Sequence, residues 1–305
     1  MCDLLAIVIP YYRIEFLDAT LASLHAQTNK QFAVYIANDK SPHDCAHIVA
    51  KYQKDLQIHY KAFDNNLGQR SLAGHWQRSL NLLGNEQWVM FLGDDDLLSA
   101  NCVEQFYDAL NEVNQRQINV VRYSSCIINE CGERISHQYL FPTVEISTSA
   151  FIRKIQRKSR ASLSEHIFRR EILESNGFAD MPVAWHSDDI AILETSGFGN
   201  IYTINHACAS IRYSTLSVSG QSNNAWRKNL ATLKFIKYLI GNKMQCFTKQ
   251  ERYFLIWFYF KKLKHFHKLS LGSIVQIIGF FLKNLMNYLD YSKQPILLRR
   301  TDFRR

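Results

Sequence analysis

The sequence has no cysteine pair spaced as CxxC, although seven cysteines stand at positions 2, 45, 102, 126, 131, 208 and 246. An odd, scattered set suggests neither a zinc site nor a disulfide framework, and free thiols in a reducing cytosol are expected. No GxGxxG follows the first apolar run, and GxxxxGK[ST] is absent. That argues against a dinucleotide-type glycine loop and against a P-loop. A nucleotide, if bound, must then be held by side chains and a metal. No apolar stretch is long enough to span a bilayer, because segment 271–289 is broken by Gln276, Lys283, Asn284 and Asn287. The N-terminus, MCDLLAIVIPYYR, lacks a basic leader and a cleavage site. It reads as the first strand rather than a signal peptide.

Acids are scarce at the C-terminal end: residues 226–305 hold 17 Lys/Arg against 3 Asp/Glu, whereas residues 1–225 hold 19 against 24. A mildly acidic body with a basic tail, within a net charge of +9, predicts contact with an anionic surface. The tail's aromatics cluster, as in YFLIWFYF before KKLKHFHK. They do not alternate with charges, which suits packing or lipid better than base stacking, so no nucleic-acid partner is expected. A basic amphipathic helix in the membrane interface is the sharper reading, and a helical pair packed on the protein is its alternative.

At 305 residues the chain suits one large domain, or one plus a smaller one. Apolar runs at 4–9 (LLAIVI), 31–37 (QFAVYIA), 57–61, 88–92 (WVMFL) and 118–122 (INVVR) read as strands. Helical spacing fills the intervals at 15–27, 43–53, 72–83 and 99–115. Such alternation predicts an α/β domain with a mostly parallel central sheet. Pro42 is expected near a helix start. Past residue 122 the pattern weakens into a hairpin at 124–138, a basic helix at 147–158, a strand at 163–169, a helix at 190–196 and paired strands at 200–204 and 207–213. Residues 214–220 (STLSVSG) suit a flap. Three regions follow: a nucleotide-binding half (1–122), an acceptor and catalytic half (123–225), and a helical, basic, aromatic C-terminal region (226–305).

The 88–92 strand runs into Gly93-Asp94-Asp95-Asp96. Parallel sheets place ligands at the carboxyl ends of their strands. Three carboxylates there repel one another unless a cation lies among them, and hard oxygen donors suit Mg²⁺ or Mn²⁺. Taken alone, the triplet also reads as solvated acids ahead of a helix, with Ser99 as cap.

Together, LLAIVIPYYR, YIANDKSP, DNNLGQRSLAGHW, WVMFLGDDDLLS and WHSDDIAILE resemble family 2 glycosyltransferases of the GT-A fold, in the family's order over about residues 3–220. The resemblance implies a nucleotide-sugar donor of the UDP-sugar type, a divalent Mn²⁺ or Mg²⁺, and inverting transfer to a saccharide or lipid-linked saccharide hydroxyl in polysaccharide biosynthesis. It places donor contacts at Pro10, Tyr11, Arg13, Asp39, Asn66, Gly68, Gln69 and Arg70, with Asp39 on the base. Asp94 and Asp96 match the outer acids of the DxD motif, with Asp96 the metal ligand first and Asp94 second; Asp95 lies between them in the donor pocket. Asp189 matches the catalytic base and Asp188 the acid before it, where the family more often has Glu. His186 is open between a substrate contact and a structural role. Arg212, Ser217 and Ser219 resemble a segment that closes over the diphosphate; Ser214 stands where many relatives have a His. The QxxRW signature of processive synthases is absent, which implies single addition. The implied location is cytoplasmic, peripheral at the inner face of the membrane. The competing class is a non-catalytic membrane- or glycan-binding protein that keeps the fold. The catalytic reading requires the two acid clusters to meet around one activated sugar.

Overall fold

A computed structural model of the chain describes residues 4–282, apart from 216, 218, 219, 221, 222, 267, 276 and 281. The chain divides into two compact units, Met1–Ala231 and Thr232–Arg305.

The first unit is built on a sheet of nine strands among the described residues. Strands β1 (Leu5–Tyr11), β2 (Phe32–Asn38), β3 (Gln57–Ala62) and β4 (Trp88–Phe91) alternate with helices α1 (Leu17–His25), α2 (Ala46–Tyr52) and α3 (Leu72–Leu80). They form a parallel half in the order β3-β2-β1-β4. Strand β5 (Leu97–Leu98) and helix α4 (Cys102–Gln115) lead into β6 (Val120–Ile128). Next come β7 (Val144–Ile146), α5 (Ser147–Ile155), β8 (His166–Arg169), α6 (Arg170–Asn176), α7 (Ser187–Thr195) and β9 (Asn200–Arg212). Strand β8 is inserted antiparallel between β4 and β6, and β9 runs parallel to β6.

Alternation along β1 sends side chains to opposite faces of the sheet. Leu5, Ile7, Ile9 and Tyr11 join a core with Leu21, Leu24 and Phe106. Ala6 and Val8 join a second core with Leu80, Leu173 and Ala191. Burial on both faces explains why these strands are continuous apolar runs.

Three local expectations are corrected. The paired strands at 200–204 and 207–213 are the single strand β9; its register against β6 shifts between Tyr123 and Ser124, and Asn205 and His206 fall within the strand. Ser99 does not cap α4: Asn101 is its N-cap, and the Ser99 hydroxyl accepts from the Cys208 N–H at 3.0 Å. The second helix starts later than the expected residue 43, at Ala46. The return after β6 forms where the spacing predicts, with Gly132 at φ +83° and bridges Ser125–Tyr139 and Ile128–Arg134.

Helix α8 (Ala225–Asn242) spans the division between the units, and α9 (Lys249–His265) belongs to the second. A capping box of Thr248 and Glu251 starts α9. Leu255, Ile256, Tyr259 and Leu263 are buried on one of its faces, while Trp257 and Phe260 are exposed. No helix among the described residues is long and apolar enough to cross a membrane. Of the expected interfacial helix at 271–289, residues 271–275, 277–280 and 282 are helical and the rest lie outside the described residues, as does part of the 214–220 flap, including Ser219.

Candidate active site

The loops leaving the carboxyl ends of β1, β2 and β4 enclose a cleft of about 540 Å³. Pro10, Arg13, Asp39, Asn66, Gly68, Gln69, Asp94 and Asp95 line it, together with Ser217. Leu72, Trp76, Phe91, Leu92 and Leu163 form an apolar wall of the same cleft. Tyr11 does not face it: it is fully buried, and its hydroxyl donates to the His43 carbonyl at 3.0 Å. The adjacent Tyr12 lines the cleft instead. Along β1, Tyr11 shares the face of Leu5, Ile7 and Ile9, which packs into the core. Arg70 is exposed and is not among the lining residues.

Asp39 sits just past β2 and is held on all sides. Its Oδ1 accepts from the Leu67 N–H at 2.9 Å and pairs with Arg78; its Oδ2 accepts from the Gly68 N–H at 2.7 Å. Arg78 also stacks on Phe63 at 3.9 Å and donates to His75 Nδ1 at 3.1 Å. Burial, with the Arg78 charge beside it, holds the His75 imidazole below its ordinary pKa despite the nearby Asp39 carboxylate. A Cβ on Gly68 would lie 2.5 Å from Asp39 Oδ2. Only glycine lets that N–H approach so closely.

The acid triplet turns back on the ends of two strands. Asp94 Oδ2 accepts from the Tyr12 and Arg13 N–H groups at 2.9 and 2.8 Å, which ties the end of β1 to that of β4. Asp96 is buried, and its Oδ1 accepts from the Arg212 N–H at 2.8 Å. Burial pushes the Asp94 carboxyl up to about 6, against the pull of those N–H groups and of Arg13. Burial and the mutual repulsion of the acids push Asp95 well up, and burial also raises Asp96. A Cβ on Gly93 would stand 2.8 Å from Asp95 Oδ1 and 2.9 Å from Asp96 Oδ2, so these two oxygens converge on space that glycine leaves open.

Among the described residues, no group of three or more His, Cys, Asp or Glu is arranged to hold a metal. Mg²⁺-type ions, however, are commonly bound by one or two carboxylates, with phosphate and water completing the shell. The converging, charge-strained oxygens of Asp95 and Asp96 fit that mode.

Arg212 ends β9 and is buried. Its guanidinium donates to the carbonyls of Asp95 (2.8 Å), Asn129 (2.7 Å) and Glu130 (2.8 Å) and lies 4.4 Å over the Phe16 ring. It braces the acid loop and does not line the cleft.

Asp188 and Asp189 open α7 and do not line the cleft either, so the structure does not show the two acid clusters sharing one cleft as the sequence reading requires. The residues before them are strained: Val183, Ala184 and His186 have φ of +52°, +53° and +71° without being glycine. Asp189 Oδ1 lies 2.6 Å from Lys154 Nζ, and its Oδ2 lies 2.7 Å from His186 Nδ1. Burial alone would raise the Asp189 carboxyl; Lys154 and His186 reverse that and hold it well below the usual carboxylate range. Asp188 is raised by burial, with Lys154 only partly offsetting it. The 3-10 turn Leu163–Glu165 touches the first acid cluster through Ser164 and pairs its Glu165 with Arg160. Ser164 lines the cleft, accepts from the Gly93 N–H at 3.0 Å and bonds the Asp96 carboxylate, while the charge of its neighbour Glu165 acts on Lys154.

Ser164, Arg78 and Lys154 were not legible as site residues. Arg78 lies on the helical face beside Asp39's turn, a signal visible only once β2 and α3 are placed together. Lys154 falls in the basic run of 147–158, where every charge looks solvated.

A family model described as Glycosyl transferase family 2 matches residues 6–174. No curated protein matches the chain. Among solved structures, the fold is similar to S. aureus TarS 1–349 in complex with UDP-GlcNAc: TM-score 0.64, 14% identity, covering 90% of this chain and 79% of that one. The complex of TarS 1–349 with UDP gives TM-score 0.58 at 16% identity, over 94% of this chain and 82% of that one. Full S. aureus TarS gives 0.60 at 15%, over 92% and 49%. At these identities the likeness is one of fold.

Proposed function

Because the chain belongs to glycosyl transferase family 2, we propose that it moves a sugar, with inversion, from a UDP-sugar to a hydroxyl of a saccharide or lipid-linked saccharide. The observation that carries this reading is the one cleft in which Asp39 and Asp94–Asp95 meet, at the carboxyl ends of β2 and β4 on either side of β1. S. aureus TarS, which shares the fold, has been solved with UDP-GlcNAc and with UDP. Asp39 Oδ2 accepts one N–H, from Gly68, and a carboxylate oxygen has a second lone pair to offer a base N–H.

Asp95 and Asp96, with Asp94 beside them, would hold Mn²⁺ or Mg²⁺, which when bound neutralises charge on a departing diphosphate. Arg13 and Gln69 line the polar side of the donor cleft, and the Leu72–Trp76 wall excludes water from it. In the transfer, the acceptor oxygen bonds to the anomeric carbon. The bond from that carbon to the diphosphate breaks, and its electron pair leaves with UDP. The hydroxyl proton passes to a carboxylate of the Asp188–Asp189 pair, which acts as general base. The basic tail, with Trp257, Phe260, Leu271 and Val275 exposed, supports peripheral contact with an anionic membrane, where lipid-linked acceptors reside.

The test is UDP release from a panel of UDP-sugars in Mn²⁺, with and without lipid-linked acceptors. Wild-type protein should turn over at least one donor, and Asp189→Asn should lose transfer while still binding UDP. Failure of the wild type to bind UDP, or to release it from any donor, would sink the assignment.

A further inference from the structure

The buried charges around α5 and α7 are unevenly matched. Arg122 donates to Glu145 at 2.6 Å, and Arg153 also pairs with Glu145. Arg160 pairs with Glu165 at 2.5 Å. Lys154, on α5, instead faces two acids: its Nζ is 2.6 Å from Asp189 Oδ1 and 3.7 Å from Asp188 Oδ2. Asp189 is 4% exposed and Asp188 17%. Lys154 and Asp189 also border a small gap with Arg122, Arg160 and His166, too small to admit a substrate at about 20 Å³. One ammonium, 21% exposed, therefore faces two carboxylates in a site only partly closed to water.

We propose that Lys154 is a positioning residue: a half-buried counter-ion that fixes Asp189 and offsets one of the two carboxylate charges of the Asp188–Asp189 pair for the transfer step. The proposal rests on the glycosyltransferase reading. With Asp189 clamped at both oxygens, by Lys154 and by His186, Asp188 is the less restrained partner.

The ionisation pattern agrees in direction. Burial would lower the Lys154 ammonium, but Asp188 and Asp189, with Glu165 behind them, raise it. The other charged or titratable groups near Lys154 are Arg122 and Arg160, on the same gap, His186, on the far side of Asp189, and His166, which burial drives down to about 4 and so keeps neutral near pH 7. Removing the ammonium would leave two buried carboxylates side by side, and one would take up a proton.

The experiment compares Lys154→Met, Lys154→Arg and the double variant Lys154→Met/Asp188→Asn by two readouts. The first is the pH profile of kcat/KM. Lys154→Met should move its acid limb upward by about one pH unit or more, and Lys154→Arg should restore it. An unmoved limb overturns the proposal. The second readout, Tm against pH, needs no activity, so it decides the matter even if no donor is turned over. A carboxylate whose folded pKa is raised above its unfolded value adds stability as pH falls through the folded pKa. Lys154→Met should therefore gain Tm relative to wild type between pH 8 and 5. The double variant, with one acid and one cation fewer, should recover Tm lost by Lys154→Met at pH 8. If Lys154→Met does not fold, the double variant decides by folding or not. Parallel Tm–pH curves for wild type and Lys154→Met, or additive losses in the double variant, would overturn it.

Discussion

Replacing Arg212 by methionine separates bracing the acid loop from binding the donor. The apolar part of the side chain is kept, so packing changes little. Three hydrogen bonds from an ionised donor are lost, to the carbonyls of Asp95, Asn129 and Glu130, together with the stack over Phe16. Hydrogen bonds to charged groups contribute about 1.5–3 kcal/mol each. Glu130 is exposed and Asn129 and Asp95 are half-buried, so water replaces much of what those carbonyls lose. After that discount, a net destabilisation of about 2–4 kcal/mol is expected. The Arg212 N–H to Asp96 is a backbone bond and survives the substitution. Urea unfolding should show the midpoint falling accordingly, and calorimetric titration with UDP should show a smaller effect. If the unfolding free energy stays within about 1 kcal/mol of wild type while UDP affinity collapses, the guanidinium serves the diphosphate and the bracing argument is wrong.

Gly68→Ala puts a methyl 2.5 Å from Asp39 Oδ2; the loop must retreat, and UDP affinity should fall about tenfold with the circular dichroism spectrum unchanged. Unaltered affinity would mean that the Asp39–Gly68 contact does not shape the donor site. Deleting residues 271–305 should lower co-sedimentation with phosphatidylglycerol vesicles and leave the small recovery on phosphatidylcholine unchanged; equal recovery of the full chain on both vesicle types would refute the membrane reading.

The parallel half was legible because its strands are buried on both faces and so appear as unbroken apolar runs. Strand β9 was misread because Asn205 and His206 look like a turn. The polar side chain of Asn205 is absorbed by pairing, its Oδ1 accepting from the Phe141 N–H and its Nδ2 donating to the Phe141 carbonyl, while His206 is exposed. The cleft residues near Asp39 and Asp94 were legible because motif positions coincide with strand ends. Side-chain direction was not. Tyr11 and Tyr12 are adjacent in sequence, and only strand parity tells which one turns inward. Lys154 had no signal at all, since burial of a lysine depends on acids 34 and 35 residues further along.

The insertion of β8 has a consequence for how the protein is made. Strand β4, which carries the acid triplet, has β1 on one side and β8 on the other. As the nascent chain leaves the ribosome, that second side stays bare until residues 166–169 emerge. An exposed strand edge is a template for unwanted pairing with other chains. A fragment ending at residue 122 would keep that defect permanently, so attempts to express the first half alone should meet aggregation, and a shorter soluble version must extend past Arg169.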